Sequence, residues 1–227
     1  MILSPADSIA VSVFLGSWLV YNLVLDGYAR RGIGLSGAMN VQRAVWMRAM
    51  LTRDLRMIDT AIMAGLQQGT AFFASACIFA IGGCFALLGS AERISAIAAD
   101  LPFSGGLDKA LVELKLFGLV VIFCYAFFKF GWSYRLFNYC SILIGAVPMR
   151  EDAAADPAGA ERAVERTILI NQIAGRHFNA GLRAIFFAVA YLGWLIGPIV
   201  LIASTAFVVA ILVNRQFRSP AIRMLRE

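Results

Sequence analysis

The stretch AIFFAVAYLGWLIGPIVLIASTAFVVAILV, residues 184–213, contains 30 residues and no charged side chain. As one α-helix it would be about 45 Å long, whereas the hydrocarbon core of a bilayer is about 30 Å thick. Gly197 and Pro198 lie near its middle, and proline ends or kinks a helix before itself. The stretch therefore predicts two membrane spans, over about 180–197 and 198–213, joined by a tight turn.

Three further apolar stretches, over about 5–25, 69–89 and 111–130, predict three more spans. Hydrophobic residues make up 60% of the chain and charged residues 15%, and the mean hydropathy is +0.77. In soluble domains hydrophobic residues make up about half of the chain and charged residues about a quarter. This chain would therefore expose many apolar side chains to water unless lipid covered them. We predict an all-α fold: a single membrane domain, residues 1–227, built as a polytopic helical bundle.

The basic residues give an independent test of this topology. Of the 20, only Arg93, Lys109 and Lys115 fall between the second and third spans or near the start of the third, whereas 17 fall in or near the other connections and the tail. By the positive-inside rule those 17 lie in the cytoplasm, and only an odd number of spans returns the basic tail there. This predicts five spans, with the N-terminus outside and the C-terminus cytoplasmic.

The net charge of +6 does not predict a nucleic-acid partner, because 17 of the 20 basic residues are arginines that flank apolar stretches and form no lysine-rich run. The expected partner is the lipid bilayer with its anionic headgroups.

Two segments between the spans are predicted to be helical but not membrane-spanning. Residues about 40–63 read as an amphipathic helix, either lying among lipid headgroups or docked on the bundle, with headgroup contacts from Arg43, Arg48, Arg53 and Arg56. Residues about 149–179 read as a cytoplasmic linker followed by a projecting stalk. Asp156 and Pro157 are the predicted N-cap and first residue of the stalk helix.

The sequence contains no known catalytic signature, so we expect no enzymatic activity. With a single histidine, His177, a bis-histidine haem site and a multi-histidine metal centre are excluded, and we expect no metal and no cofactor. A capping or hydrogen-bonding role is expected for His177, with a lone axial ligand as the alternative.

Polar residues near the ends of the spans have two interpretations. They anchor the helices at the interface, or they form a polar cluster on the cytoplasmic side, for which Asp26 and Asp59 would be the nearest counter-charges. The candidate cluster is Lys129, Arg135, Asn138, His177, Asn179 and Arg183.

Small residues at four-residue spacing predict close helix packing, either within the chain or between copies of it. These residues are Gly65 and Gly69 near the second span, and Gly193 and Gly197 in the fourth.

Three strings carry a resemblance to a known family: RAVWMRAMLTRDLRMIDT (43–60), FFKFGWSYRLFNYCSILIGAVP (127–148) and NQIAGRHFNAGLRAIFFAVAYLGW (171–194). The chain resembles the bacterial membrane-protein family catalogued as domain of unknown function number five hundred and ninety-nine, over nearly its whole length. The resemblance implies an inner-membrane protein with several helices and supplies no substrate. It also implies that Trp46, Trp132 and the six cluster residues occupy motif positions.

Two functions follow as hypotheses. The first is a non-enzymatic accessory, scaffold or assembly component of a homo-oligomer or larger membrane complex, with a methionine-rich contact surface on Met39, Met47, Met50, Met57 and Met63. The alternative is a small transporter or channel for an anionic solute that uses the Lys/Arg/Asn cluster. An enzyme acting on lipid headgroups ranks last, because His177 is the only histidine available as a base.

Overall fold

The part of the chain that the structure describes is 91% helical. The computed structural model describes residues 3–90 and 109–225, and no strand occurs in these ranges; Arg93 and Arg226 of the charge argument lie outside them. The helices are α1 (Pro5–Arg30), α2 (Gly34–Ala49), α3 (Met57–Leu88), α4 (Lys109–Ala146), α5 (Arg150–Ala155), α6 (Pro157–Ile196), α7 (Pro198–Phe217) and α8 (Pro220–Met224), with a 3₁₀ turn at Met50–Thr52.

Five of these helices, α1, α3, α4, α6 and α7, are long and apolar enough to cross a membrane, which confirms the predicted all-α polytopic bundle. Each runs opposite to the one before it. The start of α1 and the α6–α7 turn share one end of the bundle, where Trp194 Nε1 donates a hydrogen bond to Asp7 Oδ1 at 2.7 Å. We call the other end, where α2, α5 and α8 lie, the arginine-rich end.

The turn between α6 and α7 lies where the sequence predicts it. The helix ends at Ile196, Gly197 is extended, and Pro198 begins the next helix. Ser204 Oγ donates to the Ala190 carbonyl at 2.7 Å and so joins the two helices of the hairpin.

Two helices are much longer than a bilayer core. With 38 and 40 residues, α4 and α6 are about 57 and 60 Å long, against roughly 30 Å of hydrocarbon. Beyond the predicted spans, they extend at the arginine-rich end and pack together with α2 and the start of α3. This extension has its own apolar core, formed by Met47, Met50, Met63, Leu136, Phe137, Cys140, Ile144, Val147, Val164, Ile168 and Ala174.

The predicted amphipathic helix over 40–63 requires correction. The structure divides it into α2, a 3₁₀ turn and the first residues of α3, with Arg53 in an extended conformation between them. Met47, Met50 and Met63 are all at most 1% exposed in one core. A single straight helix over 40–63 would extend about 35 Å, so the chain turns back to bury all three.

The predicted stalk also requires correction. Asp156 is the N-cap of α6, as predicted, and its side chain accepts a hydrogen bond from Gly159 N at 2.9 Å. However, α6 does not project alone, because Val164, Ile168 and Asn171 are buried against the neighbouring helices. The predicted linker contains the short helix α5.

Candidate functional site

A buried arginine, Arg183, lies between α1 and α6. Arg183 is 7% exposed; its Nε donates to Asn22 Oδ1 at 2.6 Å and its Nη2 donates to Asp26 Oδ1 at 3.2 Å. Asn22 is held in turn by donating to the Trp18 carbonyl at 3.0 Å. Asn22 and Asp26 lie one turn apart on α1, so both oxygens face the same guanidinium. Two of the five N–H donors of Arg183 are used in this way.

Arg183 borders two adjoining cavities at the arginine-rich end. The polar cavity, of about 410 Å³, lies between α1, α2 and α6, and its functional groups belong to Ser36, Asp26, Asn40, Gln172, Arg176, Asn179 and Arg183. The mixed cavity, of about 360 Å³, lies between α1, α2, α6 and α7. Its polar groups belong to Tyr21, Ser36, Arg43, Asn179, Arg183, Arg215 and Gln216, and its other lining residues are leucines and a methionine.

The turn between α1 and α2 positions α2 so that it lines both cavities. Gly32 and Gly34 adopt φ values of +71° and +76°, which glycine takes at no steric cost, so α2 folds back against α6 and α7. Gln172 Nε2 donates to the Asn40 carbonyl at 3.1 Å, and Ser36 Oγ donates to Gln216 Oε1 at 3.3 Å. These bonds fix the first half of α2 across both helices.

Arg43 lines the mixed cavity, and its guanidinium lies against the backbone of α6 at Gly175. A Cβ atom at Gly175 would overlap Arg43 Nη1, so a larger residue there would displace the guanidinium. Arg43 Nη1 donates to Asn40 Oδ1 at 3.3 Å. The guanidinium is thus held next to the cavity by an amide and a helix backbone rather than by a carboxylate.

The predicted polar cluster is only partly assembled. Asn179 and Arg183 line both cavities, and Asp26 is the counter-charge, as expected. The other four members contact separate partners. Lys129 Nζ lies 5.1 Å from the centroid of the Tyr125 ring, and Arg135 Nε donates to Tyr139 Oη at 2.6 Å. Asn138 Oδ1 accepts a hydrogen bond from Gln67 at 2.7 Å, and the rings of His177 and Trp132 have centroids 6.5 Å apart.

The four arginines predicted to contact headgroups all have partners within the chain. Arg43 is described above, Arg48 pairs with Glu161 at 2.9 Å, and Arg53 pairs with the buried Asp59. Headgroup contact by these residues remains a prediction.

Arg56 caps the C-terminal end of α4. It donates to the carbonyls of Ile144, Val147 and Pro148, and burial lowers the pKa of its guanidinium, an effect that the carboxylate of Asp59 opposes. This is a favourable place for a cation, because the last carbonyls of a helix have no partner within it.

The predicted packing glycines fall into two groups. A Cβ atom at Gly193 would lie 2.6 Å from Ser204 Oγ, so this glycine packs against α7. A Cβ atom at Gly65, Gly69 or Gly197 would have no neighbour within 4 Å, so these three face open space.

Several cavity residues have no signal in the sequence. Arg215 and Gln216 both belong to α7, and nothing local links them to Arg183 on α6, whereas Arg176 precedes Arg183 by seven residues, two turns of the same helix. Asn22 could have been found, because it precedes Asp26 by four residues in an otherwise apolar span. Among residues 3–90 and 109–225, no group of three or more His, Cys, Asp or Glu could hold a metal ion.

The fold and the site define a polytopic helical bundle with arginine-lined cavities at one end. The chain belongs to the family described as Protein of unknown function, DUF599, whose sequence model matches residues 9–221, which confirms the resemblance. No curated protein and no solved structure matched the chain.

Proposed function

We propose that this protein is a non-enzymatic membrane protein that binds an anionic group in the arginine-lined cavities, on the cytoplasmic side of the membrane. The observation that carries the proposal is Arg183, a buried guanidinium that borders both cavities. Burying a guanidinium is unfavourable unless charge and hydrogen bonds compensate it. In the part of the chain that the structure describes, the only carboxylate within hydrogen-bonding distance is Asp26, which is itself 37% exposed.

The balance of charge around the cavities supports an anionic ligand. Among the described residues, four arginines line them, Arg43, Arg176, Arg183 and Arg215, and the one acidic lining residue is Asp26. Planar guanidinium groups bind carboxylate and phosphate oxygens in a bidentate manner. Amides from Asn40, Gln172 and Asn179 would add neutral hydrogen bonds.

Transport of an anionic solute, the alternative predicted from the sequence, would require a path through the aromatic core. The rings of Phe14, Trp18, Phe187 and Tyr191 contact one another with centroids 5.3 to 5.9 Å apart, on the side of Arg183 away from the arginine-rich end. These rings would have to separate before a solute could cross. Binding is therefore the part of the hypothesis that the geometry favours.

Binding of inorganic phosphate to the purified protein in mild detergent tests the proposal. We expect saturable binding by isothermal titration calorimetry, weakened about tenfold by Arg176→Gln, because one charge-assisted hydrogen bond contributes roughly 1.5 kcal/mol or more. The matched control is Arg166→Gln, an exposed arginine on the same helix that lines neither cavity. Absence of saturable binding, or equal weakening in both variants, would contradict the proposal.

The location is part of the proposal. The positive-inside rule places the arginine-rich end in the cytoplasm and the start of α1 outside, and the family resemblance implies a bacterial inner membrane. The cavities would then be reached from the cytoplasm or from its lipid leaflet.

A second candidate function is an accessory or scaffold component of a homo-oligomer or larger complex. The observation in its favour is the outward face of α3, where Gly65 and Gly69 are open and Phe72 and Phe79 are 67% and 79% exposed. Close contact with a second helix would use such small residues. The predicted methionine surface gives this candidate little support, because Met47, Met50 and Met63 are buried within the chain and only Met39 and Met57 of the five are exposed.

A further inference from the structure

We infer that the mixed cavity binds the phosphate headgroup of an anionic phospholipid, with the first part of an acyl chain against its apolar wall. The inference rests on the proposed function and names the ligand class. The cavity combines two chemistries that a free anion would not need together: a cationic, hydrogen-bonding side and an aliphatic side.

The charged side is more strongly cationic than that of the polar cavity. Arg43, Arg183 and Arg215 line the mixed cavity, and none of its lining residues is acidic. Asp26 borders only the polar cavity. A doubly negative or singly negative phosphate would therefore find the least repulsion in the mixed cavity.

The buried side-chain amide of Gln216 has an N–H donor without a partner among the described residues, which favours a ligand that carries an acceptor oxygen. Gln216 is 8% exposed and lines the mixed cavity, and its Oε1 accepts from Ser36 Oγ. Its Nε2, a donor, is buried and has no acceptor in the described part of the protein. Buried polar groups are rarely left unsatisfied, and an anionic oxygen that reached this donor after a small movement of the side chain would supply the missing acceptor.

The start of α2 provides a second set of unused donors beside this amide. The N-cap residue is Ile33, whose side chain accepts no hydrogen bond, and no acidic residue occurs in the first turn. Gly34 lies directly against the Gln216 amide: a Cβ atom there would be 2.7 Å from Nε2. The first N–H groups and the helix dipole of a 16-residue helix favour an anion at this position.

The apolar lining residues of the mixed cavity explain why a lipid fits better than a free phosphate. Leu25, Leu35, Met39, Leu182 and Leu212 line it from four helices. Apolar surface of this kind contributes to binding only when the ligand brings an apolar group to cover it. Arg215, which also lines the cavity, places its guanidinium carbon 5.0 Å from the centroid of the Phe186 ring, so the charged group rests on an aromatic surface.

Native mass spectrometry of the intact protein with three added ligands tests the inference. The ligands are phosphatidylglycerol, phosphatidylcholine with the same acyl chains, and glycerol phosphate without acyl chains. We expect phosphatidylglycerol to bind at least tenfold more tightly than either of the others. We expect Arg215→Gln and Gln216→Leu to reduce its binding about tenfold. The control Arg218→Gln, an exposed arginine three residues from Arg215, should leave binding unchanged.

Any other result of this experiment would overturn the inference, and in one case the proposed function as well. Equal binding of the two lipids, or equal effects of Arg215→Gln and Arg218→Gln, would overturn the inference, while phosphate binding sensitive to Arg176→Gln would still support the proposed function. Glycerol phosphate binding as tightly as phosphatidylglycerol would show that a free anion is the ligand. Failure of every anion to bind would overturn both. The thermal midpoint of each variant establishes that it is folded, and the same spectra report the oligomeric state that the second candidate function requires.

Discussion

Replacement of Arg183 by glutamine is expected to weaken anion binding by about tenfold to a hundredfold, the largest binding effect of any single substitution. Of the arginines that the structure describes, Arg183 alone borders both cavities, and its Nε and Nη2 bonds to Asn22 and Asp26 hold it in place before a ligand arrives. Glutamine keeps a donor but removes the charge and the planar fork. Titration of phosphate and phosphatidylglycerol against wild type and variant measures the loss.

The substitution Asp26→Asn is expected to change anion binding in the opposite direction from Arg183→Gln. Asp26 borders the polar cavity as its one acidic lining residue, so removing its charge should strengthen anion binding severalfold. A merely structural role for the Arg183–Asp26 pair predicts instead that both substitutions weaken binding to a similar extent. That result would remove the reason for assigning Arg183 to a binding site.

Replacement of Asp59 by alanine is expected to cause the largest loss of stability, about 2 to 4 kcal/mol. Asp59 is fully buried at the start of α3, and it accepts hydrogen bonds from Trp46 Nε1 at 2.7 Å and from Arg53. Without it, the indole N–H of Trp46 loses its acceptor, whereas Arg53 is one-third exposed and can return to water. The contact between α2 and α3, which positions α2 over the cavities, depends on this carboxylate.

Equilibrium unfolding in mixed micelles, followed by tryptophan fluorescence, measures this change. The control is Asp54→Ala, since Asp54 is 78% exposed and pairs with Arg150, itself 63% exposed, at 3.4 Å. Exposed pairs of this kind contribute little, so the control should unfold like wild type. Equal unfolding of the two variants would show that the buried carboxylate does not stabilise the extension.

The membrane helices could be predicted because their signal is local. The uncharged run over 184–213, broken at Gly197 and Pro198, contains all the information needed for the hairpin. Asp156 before Pro157 similarly specifies the start of α6 from two residues. Such features depend on helix geometry and solvation, which act on a few neighbouring residues.

The extension beyond the spans could not be predicted, because its apolar residues are separated by long distances in sequence. Met50, Ile144 and Ile168 share one core although each comes from a different part of the chain. Hydropathy sets the minimum length of a membrane helix but not how far the helix continues in water. The sequence therefore predicts a span and a separate stalk where the structure has the single 40-residue helix α6.

The cavities depend on contacts of the same long-range kind. Arg183 and Asn22 are 161 residues apart, and Ser36 and Gln216 are 180 apart. The sequence does identify Arg183 and Asn179, as polar residues near the start of a span. It cannot separate them from Lys129 or Arg135, whose side chains rest on the rings of Tyr125 and Tyr139 instead.

Site-directed cysteine labelling tests most directly whether the arginine-rich end faces the cytoplasm. In a background with Cys77, Cys84, Cys124 and Cys140 replaced by alanine, a single cysteine is introduced by Ser90→Cys or by Ala154→Cys, two exposed positions at opposite ends of the bundle. We expect a membrane-impermeant maleimide to modify the first variant in intact cells and the second only after the membrane is permeabilised. Modification of the second alone in intact cells would contradict a cytoplasmic site, and equal modification of both would contradict the five-span topology.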